Sequence, residues 1–255
     1  MRGLLRSEWT KLTTVRSTIW TLGMTALIGI AASAIATAET RSLWPTMAAA
    51  NKAAFDPVKT SLMGVFIGGT LMLGILGILV MSAEYTTGTV RATFAAAPRR
   101  PMVLAAKVLV FGTVSLVFAE VVAFAGFLLG QALPTSPAPH ATLSSPGALR
   151  AVTGTGLFLC VVGLLALGIA VVVRHAAGAI SAYVGVLLVL PIIVGALPSS
   201  LQNQIERFLP LEIGSVMVND THLGDFGPWV GLCILCGYAA VVLALGTVLL
   251  VRRDA

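Results

Sequence analysis

Six stretches of the chain carry almost no charge: residues 17–38, 60–83, 108–133, 151–173, 176–197 and 226–251. Each is at least 22 residues long, about 33 Å as a helix, against a hydrocarbon core of roughly 30 Å. With charges at the usual one residue in four, a single uncharged run of that length arises with a probability of roughly 0.2%. Strands of a membrane barrel would alternate apolar and polar positions over about ten residues, and an open sheet edge does not survive in lipid. The pattern therefore predicts an all-α, polytopic membrane protein with six transmembrane helices. Only Glu120 interrupts the third run, and Pro191 is expected to kink or end the fifth helix.

Composition agrees. Apolar residues make up 57% of the 255 residues and charged ones 10%, where a soluble domain carries about 25% charge. A soluble fold of this size would lack the polar side chains to clothe its surface. The formal charge of +6 does not indicate a nucleic-acid surface, because the Lys and Arg residues lie between apolar runs and not on one polar face. Cys160, Cys233 and Cys236 all fall inside apolar runs, so no disulfide framework is implied.

Orientation follows from the basic residues. Arg2, Arg6, Lys11, Arg16, Arg91, Arg99, Arg100, Lys107, Arg174, Arg252 and Arg253 lie on one side of the six runs, which is 11 of the 16 Lys and Arg. The other side holds five basic residues and six acids: Glu39, Asp56, Glu206, Glu212, Asp220 and Asp225. The basic side, with both termini, is expected to be cytoplasmic. The basic start, apolar run and Ala36-Thr37-Ala38 have the order of a secretory signal, but the run exceeds the roughly 7–15 residues of a signal core. It is expected to remain as the first span.

One transmembrane domain, 1–255, accounts for the chain: no outer loop reaches 30 residues and no internal repeat is visible. Before the first run, the segment of about 3–16 places Leu5, Trp9 and Leu12 at i, i+4 and i+7, with Val15 flanking and Arg2, Arg6, Thr13 and Thr14 elsewhere, which reads as an interfacial helix against anionic lipid. In the loop 84–107, Gly88 permits a break, Thr89 can cap a short helix and Pro98 ends it, giving a helix near 90–97 that presents Arg91 to a partner. A charged turn that only sets topology is the plainer reading of either segment.

The loop reads E-Y-x-x-G-T-V-R-x-T-F-x-A-x-P-R-R-x-x-x-L-x-A-K from Glu84 to Lys107, and this run resembles the signature of permease subunits of ATP-binding-cassette transporters, the type-2 export family of bacteria. The start L-L-R-S-E-W-T-K-L-x-T-x-R-S-T is similar to that family's elbow helix, Arg207-Phe-Leu-Pro-Leu-Glu-Ile-Gly214 to its last extracytoplasmic segment, and the ending Arg252-Arg-Asp-Ala255 to its tail. The resemblance implies a multi-pass permease of the bacterial cytoplasmic membrane and an elbow carrying Leu5, Trp9, Leu12 and Arg16. It also implies a coupling segment with Glu84, Tyr85, Gly88, Thr89, Arg91 and Thr93 that docks on a cytoplasmic ATPase. Two ATPase copies and a second permease copy, most simply a homodimer, would complete the transporter. ATP and Mg would bind the partner: the chain has no G-x-x-x-x-G-K-[ST] phosphate cradle, and no cofactor or enzyme activity of its own is expected.

Glu120 is the one carboxylate deep in a span, where it must face protein or water and not lipid. It reads as a cation or proton site, as a lining of the substrate path, or as a protonated acid bonding a neighbouring helix. Residues 198–225 hold an apolar patch of Ile205, Phe208, Leu209 and Leu211 among Glu206, Arg207 and Glu212, suited to a re-entrant or interfacial helix or to a structured loop. The pairs Gly64/Gly68, Gly126/Gly130 and Gly227/Gly231 allow close helix approach, inside the bundle or between copies. Cys233-Ile-Leu-Cys236 has no second pair or nearby His, so a metal site is not expected. An ion-coupled secondary transporter using Glu120 and a non-transporting membrane scaffold stand as the other functional classes.

Overall fold

A computed structural model describes residues 2–86, 100–132, 138–219 and 227–253. The described residues contain no strand, and six helices are long and apolar enough to cross a membrane. The chain is thus an all-α, multi-pass membrane protein. In order, the helices are α1 (Arg2–Thr14), α2 (Arg16–Leu43), α3 (Ala49–Ala53), α4 (Pro57–Thr86), α5 (Arg100–Ala132), α6 (Ala148–Val173), α7 (Ala176–Val184), α8 (Leu190–Gly195), α9 (Ser199–Glu206), α10 (Pro210–Val218) and α11 (Pro228–Arg253). A π-helical turn, Gly185–Val189, joins α7 and α8 into one span.

The spans are α2, α4, α5, α6, α7 with α8, and α11, and they alternate in direction. Gly64 of α4 meets Ala32 and Ser33 of α2, while Gly68 of the next turn meets Ile28 and Gly29, so these two helices are antiparallel. Phe66, Gly69 and Gly77 of α4 meet Phe158, Leu159 and Gly163 of α6 in rising order, so α4 and α6 run the same way. Six crossings bring the start of α2 and the end of α11 to one side.

α6 is the central post. Some 72% of its membrane-length window is buried, against 17% for α2 and 22% for α11. α4, α5 and α11 all pack on it. The outermost helices carry their large apolar residues outward, including Trp20 on α2, Ile192 on α8 and Val241 on α11, as helices solvated by lipid do. Small residues set the inner approach. A Cβ on Gly64 would collide with the backbone of Ala32 and Ser33, and the Ser33 hydroxyl accepts from Val65 N–H at 3.1 Å. Gly126 and Gly130 of α5 close on Val65, Ser61 and Thr37, and Gly231 closes on Ile213 of α10. The glycine pairs at 64/68 and 126/130 are therefore spent inside the bundle.

Pro191 does not end its helix, which runs on to Gly195. Proline lacks the N–H that would bond the carbonyl four residues back, and the wider π turn just before it is the local adjustment that tolerates this loss. One turn before the π segment closes, Tyr183 is buried against Gly74 and donates its hydroxyl to Thr70 O at 2.5 Å, fixing the span on α4.

Within the segment between α8 and α11, residues 208–218 fold back into the bundle. Phe208 O accepts from the Tyr238 hydroxyl at 3.2 Å, and Tyr238 lies about 15 Å along α11 from Pro228 at 1.5 Å per residue. Val216 O instead accepts from Arg150, near the start of α6. From Phe208 to Val218 the chain thus climbs back toward the outer ends of its neighbours, with Ile213, Gly214, Val216 and Met217 buried. Burial, then the charge of Glu206, pushes the Glu212 carboxyl above the ordinary carboxylate value.

Candidate functional site

Four charged side chains meet at the end of the bundle where α4 stops and α5 begins. Glu8 and Lys11 stand three residues apart on α1, on the face that also turns Leu5 and Leu12 to the core. Lys107 donates to Glu8 Oε2 at 2.5 Å and to Glu84 Oε1 at 2.8 Å. Lys11 donates to Glu8 Oε1 at 2.7 Å and to Glu84 Oε1 at 2.8 Å. The four form a closed ring of alternating sign and zero net charge. Side-chain exposure is 3% for Lys107, 4% for Glu8 and 11% for Glu84, against 37% for Lys11. Burial opposes the Lys11 ammonium, but the hydrogen bonds and charges of Glu8 and Glu84 outweigh it and hold Lys11 above the ordinary lysine value.

Unpaired, each buried charge would carry a desolvation cost of several kcal/mol. The ring is therefore satisfied only when α1, α4 and α5 are all in place. Next to it, Arg174 lies over the Tyr85 ring at 5.8 Å and donates to Leu249 O at 3.4 Å. Arg174 takes the left-handed conformation, φ 62°, which ends α6 and turns the chain straight into α7. The ends of α4, α6 and α11 are thus tied together beside the ring.

Of the residues that sequence assigns to coupling, Glu84 and Tyr85 sit in this foot. Gly88, Thr89, Arg91 and Thr93, and the helix expected at 90–97, lie outside the described residues. The helices flanking that loop extend beyond the uncharged runs: α4 continues to Thr86 and α5 starts at Arg100. Among the elbow residues, Leu12 is buried and Leu5 packs on the core, whereas Trp9 is 51% exposed and Arg16 is exposed at the start of α2. Glu8 lies between Leu5 and Leu12 on the inward face, so α1 docks by a polar pair as well as by its apolar stripe. Trp9 is left to the membrane interface.

Glu120 lies on α5 against α6. A Cβ placed on Gly156 would fall 2.5 Å from Glu120 Cδ and 2.6 and 2.8 Å from its oxygens, so the carboxyl occupies the space that a side chain on α6 would fill. Its Oε2 is buried with no hydrogen-bond partner among the described residues. On α6, Cys160 accepts a hydrogen bond from the Ser115 hydroxyl and donates one to Gly112 O of α5. A carboxylate at such depth costs about 2.5–3.5 kcal/mol on insertion scales. No group of three or more potential metal ligands occurs among the described residues.

Sequence reasoning misses Glu8, Lys11 and Lys107 as site residues. The i, i+3 spacing of Glu8 and Lys11 is a readable local pair, but their closure on residues 84 and 107 is a tertiary fact. Gly156 carries no sequence signal that sets it apart from the other glycines of the spans.

No protein-family model matches the chain, and no curated protein sequence matches it. Six apolar helices closed at one end by a buried ion ring fit a membrane transporter or a membrane scaffold.

Proposed function

We propose that the chain is the permease subunit of an ATP-binding-cassette exporter of the bacterial cytoplasmic membrane, with both termini cytoplasmic. In this reading it forms the substrate path and leaves ATP and Mg to a separate ATPase subunit, present in two copies beneath two permeases. The observation that carries the reading is the ring of Glu8, Lys11, Glu84 and Lys107. It braces both helices that flank the loop bearing the permease-like signature, so that the loop hangs from a rigid foot. A topological turn needs no such brace; a segment that receives mechanical work does. The excess of Lys and Arg on this side supports a cytoplasmic foot.

Force would pass from the closing ATPase pair into residues 84–97, and from there into α4 and α5 as rigid rods. The test is co-purification of the tagged chain with the ATPase encoded beside it. Arg91→Ala in the loop is expected to abolish capture of the ATPase, and Trp9→Ala to leave it intact. Capture unaffected by Arg91→Ala and by deletion of residues 88–97 would refute the coupling assignment. A second reading, an ion-coupled carrier, draws on the orphaned Glu120 oxygen, and transport persisting without the ATPase would favour it.

A further inference from the structure

Glu120 occupies a slot that α6 leaves open at Gly156, and Oε2 finds no hydrogen-bond donor there among the described residues. Across from it on α6 are Gly156 and, one turn further along, Cys160, whose thiol accepts a hydrogen bond from Ser115 of α5. None carries a positive charge, and no Lys, Arg or His lies within the six uncharged runs. In this setting the carboxyl holds either a proton or a foreign cation.

The surroundings select which cation. α5 and α11 both pack on α6, and Val117 and Val121, which flank Glu120 along α5, are exposed, as are Cys233 and Cys236 on α11. A hard metal ion needs several oxygen ligands to replace its water, and one carboxyl among valines and thiols does not supply them. A large monocation with its charge spread over apolar groups gives up little hydration and gains the apolar rim.

We infer that Glu120, seated over Gly156, is an intramembrane binding site for a lipophilic monocation that enters from the lipid-facing side of α5. The inference rests on the transport reading and names its substrate class. Binding exchanges one positive charge for another: the carboxylic O–H gives its proton to solution and the carboxylate pairs with the incoming cation.

The experiment is equilibrium dialysis of tetraphenylphosphonium against the full-length chain in nanodiscs of neutral lipid, without any ATPase. The wild type is expected to show saturable binding that weakens as pH falls, with release of about one proton per cation bound. Glu120→Gln should weaken binding by roughly tenfold or more, the loss of about 1.4 kcal/mol, and Glu120→Asp should retain part of it. Unsaturable binding, equal affinity in Glu120→Gln, or a Glu120 that titrates without competition from the phosphonium each overturns the site. The last result would mark a proton site only. Should Glu120→Gln fail to fold, pH-independent affinity in the wild type overturns the site on its own. Because no ATPase is present, failure here leaves the coupling assignment standing, and lost ATPase capture with intact phosphonium binding sinks only the coupling assignment.

Discussion

Lys107 and Glu8 are separated by 99 residues of sequence and by 2.5 Å in space, and both are almost wholly buried. Each is the reason the other can be charged there. Lys107→Met should leave Glu8 and Glu84 buried without this partner and destabilise the fold by about 3–5 kcal/mol. Replacing a matched pair, Glu8→Gln with Lys107→Met, should recover a large part of the loss. Thermal unfolding of the four members of this double-mutant cycle in detergent reads the coupling directly, and additive effects would deny that the pair interacts.

Alkaline pH addresses the same ring through its exposed corner. Lys11 titrates above the ordinary lysine value of 10.5, so its contribution is fully present below that value and is lost as pH rises through the higher folded-state value. Trypsin cleavage at Arg6, as a measure of α1 docking, should stay constant up to that value and rise beyond it. Lys11→Arg should move the rise to higher pH; release of α1 already near neutral pH would contradict the assignment.

Gly64 and Gly23 provide a matched contrast. A Cβ on Gly64 collides with the backbone of α2, whereas Gly23 has nothing within 4 Å. Gly64→Ala is expected to cost about 1–3 kcal/mol through forced separation of the helices. Gly23→Ala should be neutral or stabilising by up to about 1 kcal/mol from helix propensity alone. Melting temperatures of the two variants in the same lipid decide the matter.

Tyr183→Phe keeps the ring against Gly74 and removes only the hydroxyl that reaches Thr70 O. A loss of about 1 kcal/mol is expected, with faster hydrogen exchange in α7 and little change in α6. A loss several times larger would mean that the hydroxyl also holds some other element.

The spans are legible in the sequence because lipid enforces a rule on every residue at once: a long uncharged run is costly to keep in water and is required to cross a bilayer. Their ends are less so. α5 begins at Arg100, well before its uncharged run, because a helix can project beyond the hydrocarbon and carry charge there without penalty. Residues 198–225 admit three forms on sequence alone, since an apolar patch among acids suits an interfacial helix as well as a buried one. Tyr238 meeting Phe208, and the burial of the helix that follows, are what place residues 208–218 inside the bundle. Glu84 stands out through its motif and Glu120 through its isolation, but the lysines that pair with Glu84 and the glycine that seats Glu120 lie on other helices. Closure of the Glu8/Lys11 pair on residues 84 and 107 cannot be extracted from spacing along one chain.

Gln131 has a consequence for motion. At the far end of α5 it donates to Pro57 O at 2.8 Å and to Ser61 Oγ at 3.1 Å and accepts from Ala141 N–H at 2.7 Å, while at the near end Lys107 holds Glu84. The α4/α5 hairpin is latched at both extremities, so a load on it cannot prise the two rods apart and must swing them as a single crank. Compliance is left to the thinly supported strut of α7 and α8, whose π turn and proline give it a ready joint.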